Sequence, residues 1–200
     1  MERSSRGSKN QGTTKTTKSG SKAAGKKDNR SLLREFFVEE LRDIYWAEKH
    51  LVKELPRLQK AATSDKLAEV IEEHTSVTQE HVSRLEDIFK MLGEIPKAKK
   101  CEAMEGLMKE AQSVVEDTDE ETATRDVALI MACQKAEHYE IATYGSLVQL
   151  AKTIGQNEIA DILHQTLEEE KEADELLTNI AENNINEEGA MEEGHEGEDE

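Results

Sequence analysis

The chain has 200 residues, of which 35% are charged and 4% aromatic, and its formal net charge is −18. This length suffices for one domain with a sizeable core, and the composition favours long solvated helices over sheets. The sequence contains no run of about 18 apolar residues, so we expect no membrane-spanning segment.

The charge is distributed unevenly along the chain. Residues 1–30 carry +7 and residues 181–200 carry −9, which leaves −16 for the residues between them. Both ends are too polar to bury a core, so we predict a basic disordered tail at 1–30, a folded body at 31–184 and an acidic disordered tail at 185–200. The acidic body argues against nucleic acid as the main partner.

The cellular setting is predicted from the cysteines and the first residues. Cys101 and Cys133 are too few for a disulfide framework, and the opening MERSSRGSKNQG lacks an apolar signal segment. We therefore expect a cytoplasmic protein.

Two helices are predicted in the first half of the body. Ser31 is a candidate N-cap for the first helix, which the TSD segment at 63–65 ends and which Pro56 should kink or deprive of one hydrogen bond. The second helix ends at Gly93, shortly before Pro96. Both follow apolar stripes at helical spacing: Leu33, Phe37, Leu41, Ile44, Leu51, Leu55 and Leu58 in the first, and Leu67, Ile71, Val82, Leu85, Ile88, Phe89 and Leu92 in the second.

The second half repeats this plan after a longer connection. The segment KAKKCEAMEGLMKEAQSVVEDTDEE predicts a short crossover helix laid over the body. The third helix runs from about Thr124 to Gly155, with Tyr144 on its apolar stripe, and the fourth begins near Asn157. Two short links on either side of one long connection predict an all-α fold, a ferritin-like four-helix bundle with a short crossover helix between helices 2 and 3.

Polar residues interrupt the apolar stripe of every long helix near its middle. Because the middles of antiparallel helices of similar length meet, we expect these side chains to lie close together. Carboxylate and imidazole groups in a bundle core are the ligands of di-iron and di-manganese sites, and the ions would offset the cost of burying several acids. The candidate ligands of iron or manganese are Glu48, His74, His81, Glu137, Glu140, Glu169 and Glu170.

From Leu32 to about Ala190 the chain resembles the YciE/YciF family of ferritin-like, stress-associated proteins. The resemblance rests on ELRDIYWAEKHLVKELPRL, RDVALIMACQKAEHYEIATYGSLVQLAK and LEEEKEADELL, and most specifically on CEAMEGL and EHYEIATYG. It implies a ferritin-like bundle with an added crossover helix that forms a homodimer and is related to rubrerythrins.

The resemblance also implies roles for the candidate ligands. Relatives with an intact di-iron site carry a Glu on the first helix of each hairpin and Glu-x-x-His on the second. Glu48 and Glu137 match the first-helix positions and are expected to bridge, whereas His81 and Glu170 match parts of the second-helix motifs and are expected to be terminal ligands. His74, Glu140 and Glu169 lie one step away as replacement ligands or as partners of ligands.

The chain departs from that pattern at three positions. Thr78 occupies the place of the Glu before His81, Ala173 the place of the His after Glu170, and Val77 stands where members of the family are expected to carry Glu. The sequence therefore leaves two hypotheses open. One is a metal-binding stress protein that reacts with oxygen or peroxide; the other is a non-enzymatic bundle that has lost the site and keeps a polar layer to fix helix register.

Overall fold

The structure is a computed structural model, and it describes residues 31–193. Its helices are α1 (Leu32–Ala61), α2 (Asp65–Leu92), α3 (Glu102–Asp117), α4 (Ala123–Thr153), α5 (Asn157–Ile180), a π-helical segment (Ala181–Ile185) and α6 (Asn186–Met191). The predicted all-α, ferritin-like bundle with a crossover helix is confirmed. None of the helices in residues 31–193 is long and apolar enough to cross a bilayer.

The four long helices form two hairpins that pack against each other. α1 packs on α2 and α4 on α5, while the hairpins meet through α1 on α4 and α2 on α5. The crossover helix α3 covers α4 and α1, which leaves the seam between α2 and α5 uncovered by it. The polar residues at the centre of the bundle therefore have one side under α3 and one side towards the α2–α5 seam.

Local capping explains most of the helix boundaries. The side chain of Ser31 accepts a hydrogen bond from the backbone N–H of Arg34 at 3.2 Å, as predicted for the N-cap of α1. Gly93 ends α2 with a φ of 71°, a left-handed conformation that glycine adopts without strain. α1 continues past Pro56 to Ala61, so the proline costs a backbone donor without ending the helix.

A buried carboxylate ties the two hairpins together at one end of the bundle. Asp126, in the first turn of α4, is 2% exposed and accepts hydrogen bonds from the backbone N–H groups of Thr63 and Ser64, both at 2.7 Å. These two donors lie in the turn between α1 and α2, so one side chain satisfies the backbone of the opposite hairpin.

The helical chain extends beyond residue 184, where the sequence analysis placed the end of the body. Ile185 is 2% exposed, and α6 packs on α4. The carboxylate of Glu192 accepts hydrogen bonds from the backbone N–H groups of Ala123 and Thr124, which begin α4. The predicted acidic tail therefore needs correction over residues 185–193, while residues 1–30 and 194–200 lie outside the described residues.

Candidate metal centre

Six acidic and imidazole side chains from all four long helices meet in the middle of the bundle. They are Glu48 on α1, His74 and His81 on α2, Glu137 and Glu140 on α4, and Glu170 on α5. Five of them are at most 2% exposed, and the side chain of His74 is 10% exposed. The interrupted stripes thus converge as the sequence analysis expected.

Glu48, His81 and Glu170 form a first group, whose ligand atoms all lie within 4.8 Å of one another. The Nδ1 atom of His81 lies 3.1 Å from an oxygen of Glu170 and 3.6 Å from an oxygen of Glu48. Nδ1 makes no hydrogen bond of good geometry with any described residue. Once it is deprotonated, Nδ1 presents a lone pair to the space between these carboxylates.

His74, Glu137, Glu140 and Glu170 form a second group within the same 4.8 Å limit. The Nε2 atom of His74 lies 3.2 Å from Oε1 of Glu137. Glu170 belongs to both groups because its carboxylate lies within 4.8 Å of the ligand atoms of each, and it raises the pKa of both His74 and His81, which are two helical turns apart on α2. Glu170 is the residue common to both groups, and the bridging roles of Glu48 and Glu137 stay predictions.

The carboxyl groups of this cluster hold their protons more tightly than exposed ones. Burial, reinforced by the charge of Glu170, raises the pKa of Glu48 to about 8. Burial also raises the pKa of Glu137, and it raises that of Glu140 well above the usual range. Ionising all these groups together therefore requires positive charge at the same place.

The two histidines supply part of that charge. Burial alone would lower the pKa of His74, but the charge of Glu137 and a hydrogen bond to it outweigh burial and raise this pKa to about 9. Burial opposes protonation of His81 as well, yet the neighbouring carboxylates of Glu170 and Glu48 raise the pKa to about 9. Two protonated imidazoles offset at most two of the four carboxylates.

Six carboxylate oxygens of the cluster have no hydrogen-bond partner among the described residues. They are Oε2 of Glu48, Oε2 of Glu137 and both oxygens of Glu140 and Glu170. Native proteins pair nearly all buried polar atoms, and each unpaired one costs roughly 1–3 kcal/mol. Six such oxygens at one place could be satisfied by a cation, or by protons and water held between the carboxyl groups.

Glu169 lies outside this cluster, although it is the neighbour of Glu170 in sequence. It binds the guanidinium of Arg84 through both oxygens, with Nη2 to Oε1 at 2.9 Å, and contacts Nε2 of His81 at 2.8 Å. Burial would raise its pKa, but the hydrogen bonds from Arg84, Gln165 and His81 lower it to about 2. Of the two roles expected for Glu169, the geometry matches the partner of a ligand.

The hydroxyl of Tyr144 also reaches the cluster, which the sequence analysis did not predict. Tyr144 is fully buried and donates a hydrogen bond to Oε1 of Glu48. Its position on the apolar stripe of the third helix predicted a buried ring and no role for the hydroxyl. The available signal was that a buried phenol needs a hydrogen-bond acceptor, and a Glu on the facing helix is one.

The positions that depart from the intact motif contribute no ligand. Thr78 is 1% exposed, and its hydroxyl donates to the carbonyl oxygen of His74 at 2.8 Å. Ala173 has only a methyl group. His74, one turn before Thr78, and Glu140, one turn after Glu137, instead point into the cluster, so the structure places both replacement candidates among the potential ligands.

The donors suit a hard or borderline cation. Carboxylate oxygens and imidazole nitrogens favour iron and manganese in bundle cores. Both cysteines are buried and free, and neither belongs to the potential ligand groups found among the described residues. The residues present therefore fit an iron or manganese site better than a thiolate site.

Comparison with known proteins covers almost the whole described body. Residues 32–190 match the family described as "Domain of unknown function (DUF892)". Protein YciF of Escherichia coli K12 is 42% identical over 159 residues, which cover 79% of this chain and 95% of YciF.

Solved structures agree with this match. The crystal structure of the E. coli stress protein YciF superposes with a TM-score of 0.74 at 40% identity, covering 78% of this chain and 99% of that one. YcfI of Rhodopseudomonas palustris superposes with a TM-score of 0.72 at 35% identity, covering 76% of this chain and 96% of that one. The resemblance to YciE/YciF proteins is thereby confirmed, and the chain belongs to the DUF892 family.

Proposed function

We propose that this chain is a ferritin-like stress-response protein that binds iron or manganese in the bundle core and lets the bound ions react with oxygen or peroxide. The observation that carries the proposal is the set of six buried carboxylate oxygens without a partner, which face two histidines. A divalent cation would neutralise the carboxylates and satisfy these oxygens at once.

The two groups would supply the ligands of two ions. Glu48, His81 and Glu170 would hold one ion, and His74, Glu137, Glu140 and Glu170 the other, with Glu170 shared between them. A pair of such ions, when bound, supplies two one-electron donors at one place. The apolar helix faces around the cluster exclude bulk water, which strengthens each carboxylate–cation attraction.

Glu169 and Arg84 orient His81. The carboxylate of Glu169 is held by Arg84 and accepts the Nε2–H of His81, which leaves Nδ1 to face Glu48 and Glu170. Once Nδ1 loses its proton, this tautomer presents a lone pair to the ion position. On the opposite side, Tyr144 occupies Oε1 of Glu48, so that Oε2 is the oxygen left for an ion.

The stress role is supported by a relative. The E. coli protein YciF is described as a stress protein, and it covers most of this chain at 42% identity. A carboxylate-rich core that takes up iron or manganese and consumes oxygen or peroxide would lower the concentration of reactive oxidants, which is a function suited to stress.

A second candidate function is a purely structural polar layer, and the protonation of the cluster favours it. With pKa values of about 9 for both histidines and about 8 for Glu48, the cluster approaches neutrality at pH 7 without any metal. The departures at Thr78 and Ala173 also reduce the number of ligands. Buried pairs of this kind fix helix register in other bundles.

Metal content separates the two candidates. The protein is purified without a tag or chelator, and iron and manganese are measured per chain; we expect at least one ion per chain. We expect Glu48→Gln/Glu137→Gln to lose most of it, whereas the control Glu116→Gln/Glu120→Gln should keep it. The control residues are exposed, near the end of α3 and in the turn after it. Less than one ion per ten chains, unchanged by the core substitutions, would refute metal binding.

Stability gives an independent readout. An ion present at a hundredfold excess over its Kd stabilises the folded state by about 2.7 kcal/mol, and a chelator removes this gain. A structural polar layer predicts the same unfolding curve with and without chelator. Anaerobic loading with Fe(II), followed by exposure to air and an absorption spectrum, then tests the reaction with oxygen.

A further inference from the structure

A groove on the surface leads from solvent to the second ion position. It lies along the seam between α2 and α5 and has a volume of about 230 Å³. Four glutamates line it, Glu73 and Glu80 from α2 and Glu169 and Glu172 from α5, and no lysine or arginine does. His74 also lines the groove and is the residue through which it meets the metal cluster.

The inner end of the groove continues towards an unpartnered ligand atom. A smaller cavity of about 10 Å³, enough for about one water molecule, shares His74 and Ala173 with the groove and is also lined by Glu137. Glu137 is 2% exposed, and its Oε2 has no hydrogen-bond partner among the described residues. Ala173, whose side chain is only a methyl group, lines both the groove and this cavity.

The charges of the groove are only partly neutralised. Arg84 pairs with Glu169 and lies 3.5 Å from Glu80 at one end. Glu73 and Glu172 form no ion pair with any described residue. The groove therefore presents uncompensated negative charge in front of His74, and such a cleft concentrates cations and raises their association rate.

The other approach to Glu137 is unsuited to a cation. A cavity under α3 also reaches Glu137, but most of its lining is apolar and includes Leu51, Met104 and Met108. Its rim is bridged by a hydrogen bond from Gln112 to Glu54 at 3.0 Å. An ion on that path would lose its hydration among apolar groups that cannot replace it.

From these contacts we propose that divalent cations reach the cluster through the acidic α2–α5 groove. Glu73 and Glu172 attract the cations electrostatically, and His74 binds them before they reach Glu137. This inference rests on the proposed metal-binding function and adds the path by which the site is filled. Exposed carboxylates hold the hydrated ion, and its water is exchanged stepwise for the imidazole and the inner carboxylates. The methyl group of Ala173 leaves the path open.

The test is the rate of metal loading, measured separately from the amount bound. Apoprotein is mixed with Co²⁺ in a stopped-flow instrument, and binding is followed by visible absorption at low and at high ionic strength. For Glu73→Gln/Glu172→Gln we expect loading at least about threefold slower at low ionic strength, with an unchanged final amount of Co²⁺ and a weaker salt dependence. Ala173→Leu should slow loading at both ionic strengths because it narrows the passage.

The control pair Glu116→Gln/Glu120→Gln makes the same change in net charge outside the groove, and it should load at the wild-type rate. Wild-type loading rates in the groove variants, or equal slowing in the control pair, would overturn the route while leaving the metal site intact. A wild-type protein that binds no Co²⁺ at equilibrium would refute the metal site and the route together. Full binding with slow loading in the groove variants alone supports the route.

Discussion

The metal-free protein should lose stability as the pH rises from 6 to 9. In the folded state the pKa of His74 is raised from 6.5 to about 9, because the charge of Glu137 and a hydrogen bond to it outweigh the effect of burial. The pKa of His81 is raised to the same extent by Glu170 and Glu48. A raised folded-state pKa stabilises the protein fully below the unfolded value of 6.5, and this contribution is lost as the pH rises through 9.

The size of the effect follows from these values. Each proton held by the folded state alone contributes about 1.36 kcal/mol per pH unit, so one histidine across this window contributes roughly 3 kcal/mol. Glu48 acts in the same direction, because its pKa is raised from 4.5 to about 8, mainly by burial. The three groups share carboxylates, so their contributions do not add; one proton alone corresponds to a shift of about 1–2 M in the urea midpoint.

Urea unfolding of the chelated protein at pH 6, 7.5 and 9, followed by circular dichroism at 222 nm, measures this shift. Glu137→Gln removes the partner of His74 and should flatten the dependence on pH. His138→Asn is the matched control, because that histidine side chain is 70% exposed and bonds to Asp174 at the surface. An apoprotein with equal or higher stability at pH 9 would refute the protonation scheme. Saturation with metal should reverse the slope, because the ion displaces the protons.

Three further substitutions test other contacts. Glu169→Gln weakens the orientation of His81, so we expect metal affinity to fall about 10–100-fold in a competitive chelator titration with little loss of stability. Asp126→Asn replaces one of the two carboxylate oxygens that accept backbone N–H bonds with an NH₂ donor, so the free energy of unfolding should fall by about 1–3 kcal/mol while metal content stays unchanged. Tyr144→Phe removes the donor that lowers the pKa of Glu48, so metal uptake followed from pH 6 to 9 should require a higher pH; an unchanged profile would contradict this role.

Helical periodicity and helix-ending residues were sufficient to predict the four long helices and their connection. Gly93 and the TSD segment end helices through the local conformation of these residues. Ser31 caps the N-terminus of α1 because its side chain can accept a backbone N–H bond in the first turn. The metal-site candidates were found for a similar reason. A Glu or His on an apolar stripe conflicts with burial, and that conflict is visible in the sequence alone.

The direction of each side chain was not predictable in the same way. Glu169 and Glu170 are neighbours, yet one binds Arg84 at the edge of the bundle and the other turns into the core. Which of the two points inward depends on helix rotation, set by packing against all the neighbouring helices. The sequence did not predict the burial of Asp126 either. Its hydrogen-bond partners are backbone groups 62 and 63 residues away, which no local pattern reveals.

At the C-terminal end, amino-acid composition predicts disorder where the structure has a packed helix. The segment after residue 184 is rich in Glu and Gly, which predicts disorder. Its few apolar contacts nevertheless suffice to hold this segment on the bundle, since Ile185 is buried. Gly189 lies so near Val127 that a methyl group at this glycine would be 3.4 Å from the valine side chain. The carboxylate of Glu192 then caps α4, so an acidic residue here contributes to order through the free N–H groups of a helix.

The division of the cluster between two hairpins has a consequence for folding order. α1 pairs with α2 and α4 with α5, and the two helices of each pair are consecutive in the chain. Each hairpin is therefore a unit that can form early. Glu48 and His74 belong to one unit and Glu137 and Glu170 to the other, which means that the acids leave water only when the hairpins dock. We therefore expect docking to be the slow step, and to be sensitive to whatever neutralises these acids, whether a proton or a cation. If the cation is a metal ion, as proposed above, its shortage would leave more chains as undocked hairpins with exposed apolar faces, and such species are prone to aggregate.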